Sequence, residues 1–153
     1  MAWISAEVVA HELEEADTLE VGSLDVNGSV RRFFSGSYIG LDMRAGPGVD
    51  VVGTADALPF VASRFDCVVS TEMLEHDPSP WHSLREMGRV LKPGGHLLIT
   101  TRGNGFGEHN EPSDYWRFMP ASGPLLLELA SCDVLRVETD PQVPGIFLHG
   151  VRR

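Results

Sequence analysis

Residues 65–101 read FDCVVSTEMLEHDPSPWHSLREMGRVLKPGGHLLITT, and this stretch decides the fold. Phe65–Ser70 (FDCVVS) is a short apolar run, the pattern of a strand buried on both faces. Ser79 and Pro80 are N-cap and first-turn residues for a helix running through Leu91. Along that helix Trp81, Leu84, Gly88 and Leu91 recur at three- and four-residue spacing, while Arg85, Glu86 and Arg89 point away. Lys92-Pro93-Gly94-Gly95 stops the helix and turns the chain into a strand at His96–Thr101. Strand, helix and strand in this succession make a crossover of a mostly parallel sheet.

The flanking sequence extends the pattern. Residues 5–16 (SAEVVAHELEEA) place Val8, Val9 and Leu13 on one face and acids on the other, predicting an N-terminal amphipathic helix with a solvated acidic face. Thr18–Gly22 (TLEVG) reads as the first strand, Gly28–Phe34 as a short helix, Ser37–Asp42 as the second strand and Val49–Val52 as the third. The connection between the last two, MRAGPG, is too short and too rich in Gly and Pro for a crossover helix. Residues 122–131 suggest another short helix, and Val134–Glu138 and Ile146–Val151 pair through the turn 140–145 as an antiparallel end to the sheet. An α/β architecture of seven strands with helices packed on it follows.

Length and charge bound what such a domain does. At 153 residues the chain suits a single domain, 1–153, and buries roughly 70% of its unfolded surface without staples. Twelve Lys and Arg against 22 Asp and Glu give a formal charge of −10, a surface that repels nucleic acid and anionic lipid. Cys67 and Cys132 belong to no ligand cluster and sit in apolar runs as buried thiols. No apolar stretch approaches the ~20 residues of a membrane span. Residues 1–20 carry acids and no Lys or Arg, unlike a signal peptide, so a cytoplasmic location is expected.

In an open parallel sheet, ligands bind beyond the carboxyl ends of the strands. Gly22 allows a close turn under a ligand, and the helix after it offers unpaired N–H groups. Asp42 ends the second strand 20 residues later, a suitable distance for a carboxylate accepting from two ribose hydroxyls. Either residue alone is an ordinary turn glycine or a capping acid; the joint spacing carries the signal. A GxGxxG from Gly22 would need glycine at Leu24 and Asn27, so a dinucleotide, and with it an NAD-dependent oxidoreductase, loses ground to a nucleoside ligand without phosphates.

The segments TLEVGSLDVNGS, YIGLDM, ALPF, FDCVVSTEMLEH and LREMGRVLKPGGHLLITT, in this order, resemble the class I S-adenosylmethionine-dependent methyltransferases, in particular the small-molecule and glycan-type branch with FDxVxxxxxLEH and LKPGG. The resemblance covers residues 18–102 and implies a Rossmann-like seven-stranded sheet in the order 3-2-1-4-5-7-6, strand seven antiparallel, with helices on both faces. It implies S-adenosyl-L-methionine as cofactor. Glu20, Gly22 and Ser23 match the loop beneath its methionine part, Asp42 the ribose-binding acid and Met43 the apolar residue against the adenine. Ser70, Thr71 and Glu72 match the segment flanking the methionine amino group and sulfonium. The family's second and third glycines are replaced by Leu24 and Val26. Ungapped matching puts Thr54 where an adenine-contacting acid stands, whereas a two-residue shortening puts Asp56 there; Asp56, with Ala57, is the preferred reading. No metal site is read from the sequence.

Acceptor-facing candidates follow the fifth strand, in a polar loop over residues 102–118 studded with glycines and aromatics. An oxygen acceptor needs a general base, and His109 and His76 are the candidates. Tyr115 and Trp116 offer a wall for an apolar or sugar-like face and Arg117 an anchor for a substrate carboxylate; the DYWRF run resembles a segment of sugar- and natural-product-directed relatives. Against these roles, Tyr115, Trp116 and Phe118 can simply pack the loop onto the sheet. Arg117 can pair with Asp114 or Glu111, and His76 can support the turn. His11, His82, His96 and His149 belong to no constellation in the sequence. Only about 16 residues precede the first strand, so the acceptor pocket is expected to be open to a large acceptor or covered by a second subunit of a homo-oligomer. The function this supports is methyl transfer to O or N of a small-molecule or glycan-type acceptor. A cofactor-binding module without catalysis is the rival.

Overall fold

The computed structural model describes residues 1–109 and 113–153. Strands β1 (Thr18–Val21), β2 (Tyr38–Asp42), β3 (Val51–Val52), β4 (Phe65–Thr71), β5 (Leu91–Arg102), β6 (Cys132–Thr139) and β7 (Gly145–Arg152) form one sheet in the order β3-β2-β1-β4-β5-β7-β6. β1 pairs in parallel with β2 and β4, β2 with β3 and β4 with β5, while β7 runs antiparallel to β5 and β6. Strand order therefore reverses between β1 and β4, as the Rossmann-like architecture requires.

Both faces of the sheet are covered. Leu19, Val21, Val68, Leu97, Ile99 and Leu148 pack beneath α2 (Pro80–Val90) and α3 (Gly123–Leu129), which contribute Leu84, Met87, Val90, Leu126 and Leu127. On the other face Cys67, Val69 and Leu98 lie under Ile4 and Val8 of α1 (Ala2–Ala10) and Val30 of the 3-10 turn Val30–Phe33. Each fully buried Leu or Ile contributes roughly 1.5–3 kcal/mol. Both cysteines are buried thiols, and no helix among the described residues is long and apolar enough to cross a membrane.

Several local expectations change. The N-terminal helix spans Ala2–Ala10 rather than 5–16, because Glu12 takes a left-handed φ of 55° and the chain turns. Val9 is exposed, and Glu7, expected on a solvated face, is buried. Ser79 makes no side-chain cap; instead Asp77 accepts from the Ser79 N–H at 2.8 Å and from the Ser83 hydroxyl, tying the entry of α2 to its first turn. Glu86 and Arg89 do not simply face water: Glu86 accepts the Leu58 N–H, and Arg89 donates to the carbonyls of Leu58 and Phe60, fixing the Ala57–Phe60 segment on α2. The Lys92–Gly95 turn is a bulge within β5, between the pairs Phe65–Leu91 and Cys67–His96.

The Gly- and Pro-rich connection from β2 to β3 contains no helix and is tied to β2 and to the turn after β1. The Asp50 N–H donates to the Gly40 carbonyl and the Asp25 N–H to the Pro47 carbonyl. Gly40 makes the close approach possible, because a Cβ there would overlap the Gly48 carbonyl oxygen. Gly40→Ala should therefore cost about 1–3 kcal/mol or more in urea unfolding. Gly107→Ala, where nothing lies within 4 Å, should change little.

Candidate active site

The carboxyl ends of β1, β2 and β4 meet at one edge. Gly22 turns the chain there with φ +84°, and a Cβ on it would lie 2.7 Å from Met73 Cγ of the segment after β4. The Gly22 and Ser23 N–H groups both donate to the Leu41 carbonyl. Asp42 is half-buried; its Oδ2 accepts the Leu24 N–H at 3.2 Å and its Oδ1 the Arg44 N–H at 2.9 Å. The carboxylate is thus oriented from two backbone sites, and each oxygen keeps a lone pair. Met43 beside it is exposed, as are Thr54, Asp56 and Ala57 after β3.

Glu20 points to the α1 face and is 4% exposed, accepting from the Tyr38 hydroxyl at 2.8 Å. Burial pushes its carboxyl up to about 7, against the opposing effect of the Tyr38 hydrogen bond. The hydroxyls of buried Ser23 and Ser70 have no hydrogen-bond partner. Glu72, at φ 52°, pairs with Arg102 (Oε2 to Nε 2.5 Å), and Arg102 lies over the Phe106 ring at 4.3 Å. Burial, and then the charge of Glu75, hold Glu72 above the usual carboxylate range.

Glu75 is a residue the sequence reading missed. It is fully buried, with Oε2 accepting the Thr101 hydroxyl at 2.7 Å and Oε1 without a hydrogen-bond partner. Its backbone carbonyl accepts the N–H groups of Tyr115 and Trp116, which fastens the acceptor-side loop to the turn after β4. The only signal in the sequence was its place between Glu72 and His76.

The two histidines proposed as bases come together, their rings 4.7 Å apart edge to face. His76 Nδ1 lies 2.5 Å from the Ser113 carbonyl. A carbonyl only accepts, so Nδ1 carries the proton and Nε2 keeps its lone pair, 4.0 Å from Glu75 Oε1. His109 Nδ1 lies 3.2 Å from Asp114 Oδ2. Glu75, His76 and His109 each place one possible ligand atom within 4.8 Å of the others.

Arg117 takes Asp114, one of the two partners weighed from the sequence. Its Nε donates to the Phe106 carbonyl, Nη1 to Asp114 and the Trp116 carbonyl, and Nη2 to Asp114 and the Gly107 carbonyl. All five N–H groups are committed to the loop, leaving none for a substrate carboxylate. The Arg117 guanidinium in turn holds Asp114 well below the usual carboxylate range. Glu111, the other partner considered, lies outside the described residues. Tyr115 is 52% exposed, while Trp116 donates its indole N–H to the Asp77 carbonyl and meets Trp81 at 5.6 Å.

An open α/β sheet with its polar groups gathered at the carboxyl ends of β1, β2 and β4 defines the class. A family model described as a methyltransferase domain matches residues 10–99, more than half of the chain. The chain belongs to that methyltransferase domain family. A 27-O-demethylrifamycin SV methyltransferase of Amycolatopsis mediterranei (strain S699) is 47% identical over 47 residues, 29% of this chain and 17% of the relative. A phthiotriol/phenolphthiotriol dimycocerosates methyltransferase of Mycobacterium ulcerans (strain Agy99) is 42% identical over 82 residues, 46% of this chain and 30% of the relative. The chain thus spans less than a third of either relative's length. The crystal structure of a Burkholderia thailandensis 1,6-didemethyltoxoflavin-N1-methyltransferase, with 1,6-didemethyltoxoflavin and S-adenosylhomocysteine bound, is similar at a TM-score of 0.79. It is 17% identical, with 97% of this chain and 76% of that chain covered, a likeness of fold.

Glu20 gives the site a pH signature. Below the ordinary value of 4.5 both folded and unfolded chains hold its proton; between 4.5 and about 7 the folded chain alone does. Its contribution to stability is complete below 4.5 and is lost as pH rises through about 7. Compared with Glu20→Gln, the wild type should lose on the order of 3 kcal/mol of stability across that window. Urea unfolding of both proteins at a series of pH values measures it; a difference independent of pH would refute the shifted carboxyl.

Proposed function

We propose that this chain is a cytoplasmic, single-domain S-adenosylmethionine-dependent methyltransferase acting on O or N of a small-molecule or glycan-type acceptor. The observation that carries the reading is the Asp42 carboxylate, oriented by the Leu24 and Arg44 N–H groups beside the positive-φ turn at Gly22. The residues fit the cofactor: a carboxylate with lone pairs to spare stands at the end of β2, and the Ser23 and Ser70 hydroxyls are buried without partners. The acidic chain, at −10, supports an acceptor other than nucleic acid.

When bound, S-adenosylmethionine supplies a methyl group activated by its sulfonium. In this reading Asp42 accepts hydrogen bonds from the ribose hydroxyls, and Met43, Asp56 and Ala57 border the adenine. Glu20, Gly22 and Ser23 lie beneath the methionine part, with Ser70, Thr71 and Glu72 beside its amino group. Glu72 kept above the usual carboxylate range is more readily neutral, with the Arg102 guanidinium beside it.

His76 and His109 take the proton of a hydroxyl acceptor, His76 through Nε2, the nitrogen left free by the Ser113 contact. Tyr115 and Trp116 present exposed aromatic surface to the acceptor. The protein's part is to align acceptor and methyl group and exclude water, which in favourable models is worth ~7–11 kcal/mol. Leu24 and Val26, standing where the family has glycines, favour a second reading, binding without turnover.

Calorimetry with S-adenosylmethionine, S-adenosylhomocysteine and NAD, followed by an acceptor screen with labelled methyl donor, separates the readings. Binding of the first two and labelling of an acceptor support the enzyme; binding without labelling selects the second reading; binding of NAD alone overturns both. Asp42→Ala should weaken S-adenosylmethionine by about 1.5–3 kcal/mol for each charge-assisted bond lost. Unchanged affinity would refute the ribose assignment.

A further inference from the structure

Three histidines without a motif, His11, His96 and His149, meet on the α1 face of the sheet, far along the chain from one another. Their ring centroids are 4.6 Å apart for His11 and His149, 5.0 Å for His96 and His149, and 5.4 Å for His11 and His96. Glu7 joins them. It stands four residues before His11, so a helical turn brings both side chains to one side. Glu7 Oε2 lies 2.5 Å from His149 Nδ1 and 3.5 Å from His11 Nε2. Its other oxygen accepts from Arg136 Nη1 at 3.0 Å. His149 Nε2, on the far side of its ring, lies 2.8 Å from His96 Nδ1.

We propose that Glu7, His11 and His149 form a binding site for a divalent transition-metal ion of the zinc class, with His96 as the outer partner that orients His149. One ligand atom from each of the three lies within 4.8 Å of the other two. Two imidazoles and one carboxylate oxygen suit zinc, cobalt or nickel; magnesium and calcium prefer oxygen throughout. Bonds of roughly 2.0–2.1 Å at tetrahedral angles set donor atoms about 3.3–3.4 Å apart. The Glu7–His11 separation of 3.5 Å already meets that spacing. The Glu7–His149 contact opens by about 1 Å as the ion takes the place of the hydrogen bond between them.

The surroundings complete the site. Without the ion His149 Nδ1–H donates to Glu7 and Nε2 accepts from His96 Nδ1; on binding, His149 gives up its Nδ1 proton to ligate and turns Nε2–H toward His96 Nδ1, the kind of outer contact that fixes a metal-ligating imidazole. Arg136 holds Glu7 Oε1, so Oε2 is the oxygen offered to the ion, and Glu138 at 3.5 Å balances the guanidinium. Glu7 and His149 are 2% and 0% exposed, whereas His11 is 29% exposed, which gives an ion and a fourth, water ligand a way in. A bound ion ties α1 to β7. This site shares no residue with the proposed cofactor site, so its test stands or falls independently of the methyltransferase reading.

The test is titration of chelator-treated full chain with Co2+ and then Zn2+. The wild type should show the visible d–d bands of low-coordinate Co2+, bleached by Zn2+, and Zn2+ should raise Tm by several degrees. His11→Ala changes a partly exposed side chain at the end of α1 and should fold, with the circular dichroism of the wild type. It should lose one bound ion from the stoichiometry, and His96→Asn should weaken that ion roughly 10–100-fold. His109→Ala, which alters the other histidine–glutamate group, should keep the ion. Absence of bands and Tm shift in the wild type, or unchanged stoichiometry in folded His11→Ala, would overturn the site.

Discussion

The candidate site depends on the register of β1, a four-residue strand hydrogen-bonded in parallel on both sides. Thr18 stands opposite Tyr38 of β2 and Cys67 of β4, and Val21 opposite Leu41. That alignment brings the ends of three strands to one level, so the turn at Gly22, Asp42 and the segment Ser70–Glu72 stand at one edge of the sheet. A slip of one residue would turn Leu19 and Val21 away from α2 and send Glu20 beneath it. The alternation of Leu19 and Val21 with Thr18 and Glu20 is thus a constraint on the site as much as on the core.

Glu20 and Asp42 show how two carboxylates near one edge acquire different properties. Glu20 lies under the sheet's α1 face with a single phenolic donor, and burial holds its proton. Asp42 lies at the strand's end, where backbone N–H groups orient both oxygens. Leu24 breaks the glycine spacing that starts at Gly22, yet its N–H serves Asp42, so the backbone of that turn has a use that its side chain does not reveal.

Much of this architecture was legible because buried parallel strands are short apolar runs separated by turn residues. FDCVVS, the helix after Ser79, the bulged LKPGG turn and the antiparallel final pair all announce themselves locally. So does the absence of a helix in MRAGPG. The spacing of Gly22 and Asp42 likewise put two site candidates at adjacent strand ends. What escaped the reading lies in contacts that no local period encodes. Glu7 reads as one more acid of a solvated helix until it meets His149, 142 residues away. For Arg117 the sequence leaves anchor and loop partner open, and only the traced contacts of its five N–H groups decide for the loop. Glu75 reads as part of a turn until its carboxylate is found buried beneath Thr101. Buried polar groups are specified by their partners, and those partners come from distant strands.

Whether the edge formed by β1, β2 and β4 holds S-adenosylmethionine can be read by amide chemical-shift mapping. The isotope-labelled chain would be titrated with S-adenosylhomocysteine. Saturable shifts should concentrate at Gly22–Leu24, Asp42–Arg44 and Ser70–Glu72, with α1 and β6 unmoved. Shifts confined to other parts of the sheet, or none at saturating ligand, would contradict that placement.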